Sequence, residues 1–261
     1  MNEFPLISVI VPVYNGERFV GEALESVFRQ RYDPLEVIVV DDGSTDGTAE
    51  VVKGFGSRVT RLHQPNAGPA AARNLGLAKA EGELIAFLDA DDLWPEGKLA
   101  FQLEHLRSEP DAGLSMGYCR VEKLQGVEGN ESTRTNWPHG SEGCHMLVGA
   151  MLTRRAVWET VGGFNAALRY GEDVDWFLRA RECGVSFAVS CGIALIHRRH
   201  EKNMTLRSEA GKYELTYLFK LSMDRRRQAE RTTPFQAIKA DKTVEKYLES
   251  KLDGIPLSER G

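Results

Sequence analysis

From residue 7 to residue 13 every position but Ser8 is apolar or proline, so neither face of this segment is written for water. A strand covered on both faces has that signature, and the runs at 35–40 and 84–88 share it. Between the first two, Phe19, Val20, Ala23, Leu24, Val27 and Phe28 recur at helical spacing within residues 17–30. That stretch is long enough for the crossover that joins parallel strands. A second crossover is predicted at 45–53, a strand at 59–62, and a helix over 70–80 opened by Gly68 and Pro69, where proline suits the first turn. After the strand at 84–88 the pattern predicts a helix over 95–106. Strand and helix alternate throughout this half, which makes the class α/β with a mostly parallel sheet flanked by helices.

Past Pro110 the pattern predicts a strand at 113–121 and then a polar stretch, 125–143, with Gly126, Gly129, Gly140 and Gly143, read as a mobile loop. Regularity returns at 146–153, followed by a helix over 154–161, the stop Gly162-Gly163, and a helix over 173–183. Two strands are expected near Phe187 and Ile193. A helical pattern over 208–231 ends in Arg225, Arg226, Arg227 and Arg231, and the last thirty or so residues look poorly anchored.

Composition narrows the classes. At 261 residues, with 42% hydrophobic and 27% charged positions, the chain can bury a full core as one large domain or two small ones. Its net charge of −5 gives no basic field for a nucleic-acid partner. Residues 1–6 carry Glu3 and neither Lys nor Arg, so the positive start of a secretory signal is lacking and the expectation is a cytoplasmic protein. Cys119, Cys144, Cys183 and Cys191 form no CxxC pair, which predicts buried thiols rather than a disulfide framework or a thiolate zinc site.

Open parallel sheets bind ligands beyond the carboxyl ends of their strands. Here those ends run into Tyr14, Asn15 and Gly16, into Asp41, Asp42, Gly43 and Ser44, and into Asp89, Ala90, Asp91 and Asp92. So many carboxylates on one edge require an offset: a divalent cation, backbone donors or raised pKa values, of which a metal is the simplest. Taken singly, each motif also reads as a strand-to-helix turn with a capping acid, and Asp92 reads as a cap for the next helix. Neither a P-loop nor a dinucleotide glycine signature is present. His197 and His200, three apart, read as solvated or core histidines rather than a zinc pair.

The ordered set from Ile7 to Asn15, from Val39 to Asp46, from Asn66 to Gly68 with Ala72, Arg73 and Asn74, then Leu88 to Asp92, Gly162 to Phe164 and Glu172-Asp173, resembles family-2-like glycosyltransferases with the GT-A fold. The resemblance spans residues 6 to about 200. It implies transfer of a sugar from a nucleotide-sugar donor, with Pro12, Tyr14, Asn15, Asp42, Arg73 and Asp89 binding the nucleotide. Tyr14 would stack on the base, Asp42 would accept its ring N–H, favouring uridine, and Asp89 would approach the ribose. Asp91 would hold Mn²⁺ or Mg²⁺ across the diphosphate, completed by His200, and Asp173 would be the general base. The family's processive members carry a Gln-x-x-Arg-Trp element, and its absence implies single addition.

Alternatives stand beside several of these roles. Tyr14 also reads as a core ring, Arg73 as an exposed helix charge, Glu172-Asp173 as a pair favoured by the helix dipole, and Trp176 as either core or acceptor platform. The expectation is an inverting, metal-dependent transferase acting on a saccharide or lipid-linked acceptor in cell-surface polysaccharide or glycolipid synthesis. Residues 1–110 would form the donor half, 111–207 the acceptor and catalytic-base half, and 208–261 a helical extension. Its Arg-rich end, with Leu215, Leu218, Phe219 and Leu221 on one face, permits peripheral contact with anionic lipid, although packing on the core is the simpler reading. Oligomeric state is not legible. A catalytically silent nucleotide-sugar-binding module of the same fold, and a two-acid glycoside hydrolase, are the rival readings.

Overall fold

The structure, a computed structural model, describes residues 4–124, 140–143, 146–168, 170–201, 203, 211–228 and 239–240. The first half alternates β1 (Ile7–Val13), α1 (Val20–Phe28), β2 (Leu35–Asp41), α2 (Thr48–Lys53), β3 (Thr60–His63), α3 (Pro69–Lys79), β4 (Leu84–Phe87) and α4 (Lys98–Ser108). The second half carries β5 (Leu114–Lys123), β6 (Glu142–Gly143), β7 (Met151–Arg154), α5 (Arg155–Val161), α6 (Glu172–Glu182), β8 (Phe187–Arg199), α7 (Gly211–Gln228) and β9 (Lys239–Ala240).

Among the described residues these strands form one sheet in the order β3-β2-β1-β4-β7-β5-β8-β9, with β6 on β5. The pairs β1–β2, β1–β4, β2–β3, β5–β8 and β8–β9 are parallel, whereas β7 runs antiparallel to both β4 and β5 and joins the two halves. Helices cover both faces, which is why β1 lacks a polar side. Val9, Val11 and Val13 pack with Leu24 and Val27 of α1 and with Leu99 and Leu103 of α4. Ile10 packs on the opposite face with Ala72 of α3 and the aromatic group of Trp158, Phe164, Trp176 and Phe177.

Pro12 explains how the sheet opens at its ligand-bearing edge. The β1–β4 ladder stops at Ile10 opposite Phe87, and two residues on Pro12 has no N–H to continue it. The chain after Phe87 is thereby released to turn residues 89–92 across the end of β1. Pro12 itself is buried, in register with Val40.

The sequence predicted two strands near Phe187 and Ile193, but a single strand of 13 residues runs through both. Cys191 and Gly192 mark an irregularity rather than a break. The β5–β8 register shifts around Tyr118, and a Cβ at Gly192 would stand 3.2 Å from the Phe101 ring. Glycine there accommodates a bulge under a close aromatic neighbour. The stretch 125–139, read as a mobile loop, lies outside the described residues, while 142–143 pair with β5.

The helix predicted over 208–231 is α7, and it is anchored. Leu218 is buried beside Gly171, Ser222 Oγ donates to Glu182 Oε1, and Arg225 donates to Glu182 and, at 2.9 Å, to Asp175 Oδ1. Asp175 is almost wholly buried and also accepts from Arg179 Nε at 2.8 Å. Replacing Arg225 by alanine takes one charged donor from this buried carboxylate. The expected cost is about 1–3 kcal/mol, read as a lower urea midpoint at unchanged slope. An unmoved midpoint would show that α7 is not held here.

Candidate active site

The end of β1 turns sharply. Asn15 adopts φ 50°, a left-handed conformation that asparagine tolerates, and its side chain accepts from Thr45 N at 2.8 Å while its own N–H donates to Ser44 Oγ. The loops after β1 and β2 are thus tied together. Tyr14 lies at this edge with 54% of its surface exposed, so it is not a core ring. Its face is available to a planar ligand.

Asp42, by contrast, is buried to 3%. Its Oδ1 accepts from Gln64 Nε2 at 2.7 Å and Ala67 N at 2.9 Å, and its Oδ2 accepts from Gly68 N at 2.8 Å. The carboxylate therefore fixes the 64–68 loop that delivers α3, and one remaining lone pair on Oδ2 could accept a ligand N–H. Gly68 sits at φ 90°, where a side chain would be strained, and Pro69 opens α3 as predicted.

Arg73 of α3 is buried to 5%, which overturns its reading as an exposed charge. Nη1 donates to Glu172 Oε1 at 2.5 Å and Nη2 to Asp89 Oδ1 at 2.6 Å, so one guanidinium joins the loop after β4 to the start of α6. Its Cζ lies 5.5 Å above the Phe164 ring. Asn74, the next residue, brackets the backbone of Phe164 by accepting from its N and donating to its O, both at 2.8 Å. The motif residues around Arg73 and around Gly163 are therefore two sides of one joint.

The next two acids are held differently. Asp91 Oδ2 accepts from His200 Nε2 at 3.0 Å and from Asn203 Nδ2 at 3.1 Å. Asp92 does not cap a helix, since α4 starts only at Lys98. It is buried and accepts from His197 Nδ1 at 3.1 Å and from the Arg198 backbone N at 2.9 Å. Arg198 in turn donates through Nε to the Asp91 backbone O and pairs with Glu22 of α1.

The far end of β8 thus supplies the offset for the crowded carboxylates. Desolvation would lower the His197 pKa, but Asp92, Asp91 and Asp89 hold it up at about 9, so it is an imidazolium at neutral pH. Burial pushes the Asp91 carboxyl up, and the hydrogen bond and charge of His200, with the charge of His197, more than cancel that and leave it below its ordinary value. The sequence reading named a metal as the simplest offset; the fold already provides Arg73, His197, His200 and Asn203. Asn203 and Arg198 were missed, because polar residues past the last readable strand carry no periodic signal.

The site can still take a cation. Asp91 keeps its side chain 32% exposed and brings a carboxylate oxygen and an imidazole nitrogen together. Among the described residues no group of three His, Cys, Asp or Glu side chains forms a cage of its own. Such a pair suits Mn²⁺ or Mg²⁺ completed by phosphate oxygens, and the residues fit that role.

At the start of α6, Asp173 Oδ1 accepts from Val174 N at 2.8 Å. Burial first, then Glu172 and Asp89, push its carboxyl up to about 6 against the opposing pull of Arg73. Trp176 is fully buried, stacked on Trp158 at 4.2 Å, with Nε1 donating to Gly162 O; of its two readings the core one holds.

A model of the family described as Glycosyl transferase family 2 matches residues 8–159. An uncharacterized glycosyltransferase of Rickettsia bellii is 33% identical over 173 residues, 64% of this chain and 25% of that protein. The putative teichuronic acid biosynthesis glycosyltransferase TuaG of Bacillus subtilis is 40% identical over 118 residues, 44% of this chain and 47% of TuaG. The chain therefore spans well under two thirds of either relative. Among solved structures, residues 1–349 of S. aureus TarS in complex with UDP-GlcNAc superpose with TM-score 0.66 at 22% identity, over 83% of this chain and 66% of that one. That likeness is one of fold. The mannosyltransferase PcManGT of Pyrobaculum calidifontis, in complex with GDP-Man and Mn²⁺, gives TM-score 0.58 at 25% identity, over 77% of this chain and 59% of that one.

Proposed function

The chain belongs to glycosyl transferase family 2, and on that premise we propose that it is an inverting, metal-dependent transferase that moves one sugar from a UDP-sugar to an acceptor hydroxyl. The observation that carries this is the joint at Arg73, which brings the donor-side carboxylate Asp89 and Glu172, the neighbour of Asp173, to one guanidinium. Donor binding and proton removal are thereby adjacent, as a single displacement requires.

In this reading Tyr14 covers the base and Asp42 accepts its N–H, while Asn15 and Pro12 shape the floor and Asp89 takes the ribose. Asp91, with His200, would hold Mn²⁺ or Mg²⁺, which supplies Lewis-acid stabilisation of the departing diphosphate. Asp173 takes the proton from the acceptor hydroxyl, and one in-line attack inverts the anomeric centre. Residues 1–110 serve the donor and 111–207 the acceptor. The nucleotide-sugar complexes of TarS and PcManGT support the donor class.

For the acceptor we take a saccharide or lipid-linked sugar of the cell surface, and the name of TuaG, which refers to teichuronic acid biosynthesis, supports a saccharide. Among the described residues no helix is long and apolar enough to cross a membrane. We place the enzyme in the cytoplasm. The test is release of nucleoside diphosphate from UDP-, GDP- and ADP-sugars in Mn²⁺, with saccharide and lipid-linked acceptors. UDP release dependent on an acceptor is expected, and no release from any donor would refute the reading.

A further inference from the structure

We propose that Arg73 is a positioning residue for the general base: it engages Glu172 and Asp89 together, so that of the two adjacent acids at the start of α6 only Asp173 is left to accept a proton. This rests on the transferase reading, but departs from the resemblance, which implies a donor contact for Arg73.

The geometry favours the internal role. Both terminal nitrogens are taken by carboxylates at 2.5 and 2.6 Å, and Nε is buried with no partner among the described residues. With 5% of the residue exposed and Phe164 beneath the guanidinium, little of it is left to meet a diphosphate. Glu172, itself buried, is fixed by this bond, whereas among the described residues Asp173, the next residue, receives only the backbone N–H of Val174. Among the described residues the charged groups that act most on Asp173 are Glu172 on its own helix, Arg73 from α3 and Asp89 from the loop after β4. From α7, Arg225 is committed to Asp175 and Glu182. Arg73 is thus the cation that pulls hardest on the base among the described residues. Without it, Glu172 and Asp89 would face Asp173 uncompensated, and the proton would be shared among three acids rather than held at one.

The test is the titration of the Asp173 carboxyl, followed by NMR in protein labelled with ¹³C at aspartate carboxyls and assigned with Asp173→Asn. UDP release from a UDP-sugar is followed across pH in parallel. In Arg73→Gln the Asp173 midpoint should rise by about one to three units, since the opposite charge that pulls it down has been removed. UDP release should then fall more at pH 6 than at pH 8, with the loss in kcat and little change in donor KM. Arg73→Lys should recover part of the midpoint and part of the rate. Glu172→Gln, which keeps Arg73 and so keeps the proposal testable should Arg73→Gln not fold, should move the midpoint down.

An Asp173 midpoint unmoved in Arg73→Gln, or unmoved in Glu172→Gln, would overturn the assignment. A donor KM raised tenfold with the midpoint in place would do the same and make Arg73 a donor ligand. If the midpoints move as expected while no nucleotide sugar is turned over, the positioning role stands and the transferase reading fails.

Discussion

Replacing Asp173 by asparagine is expected to lower sugar transfer by roughly 10² to 10⁴, the usual share of a positioned general base, while leaving donor affinity in place. The amide oxygen can still accept from Val174 N, so the first turn of α6 keeps the bond that Asp173 Oδ1 makes at 2.8 Å. What is lost is the proton acceptor. Because burial, Glu172 and Asp89 push this carboxyl up to about 6, wild-type transfer should fall about tenfold for each pH unit below that value, and the residual rate of the variant should lack this limb. The sign for stability is the reverse of a salt-bridged acid. The folded carboxyl binds its proton more tightly than the unfolded one, so stability declines as pH rises from 3.8 through about 6. Asparagine removes that cost, and the variant should melt no lower than wild type at pH 7.5. Rates of UDP release beside melting curves check both halves. Near-wild-type turnover would move the base to another acid.

The second large effect is expected from Asp91→Ala. Asp91 brings an oxygen beside the imidazole of His200, and among the described residues no third His, Cys, Asp or Glu joins them, so diphosphate oxygens and water would complete the shell of a cation. Removing it should weaken Mn²⁺ binding in the presence of UDP by more than about a hundredfold, since even partners one step removed from a metal are worth 10- to 100-fold. Electron paramagnetic resonance of free Mn²⁺ reads this directly. His200→Ala should cost less, because the carboxylate remains. The fold should survive, since the Asp91 side chain is itself partly exposed and water can enter in its place to meet the buried donors of His200 and Asn203. Undiminished Mn²⁺ binding by Asp91→Ala would shift the ligand to Asp89.

The alternation of strands and helices was readable because burial on both faces leaves a mark that local pattern preserves, as at 7–13. The acids at the strand ends were readable for a related reason: a parallel sheet gathers those ends on one edge. The partners that hold the acids were not. His197 and Asn203 lie more than a hundred residues from Asp92 and Asp91, and a contact at that separation leaves no periodicity. Asp92 looked like a helix cap because the sequence could not show that α4 begins six residues later, and Arg73 looked solvated because nothing local marks its two carboxylates. The two strands expected near Phe187 and Ile193 proved to be one, in which Gly192 makes room for Phe101. Trp176 was undecided because an aromatic beside a catalytic acid looks the same in a core as in a platform.

The central claim, that the edge built from Tyr14, Asp42, Asp89 and Asp91 binds a metal-bridged nucleoside diphosphate, is tested most directly by calorimetric titration of UDP into the full chain, in Mn²⁺ and in EDTA, beside GDP and ADP. The account predicts that UDP binds most tightly of the three and that EDTA weakens it at least tenfold. Equal affinity for all three nucleotides, or binding that the chelator leaves unchanged, would contradict it.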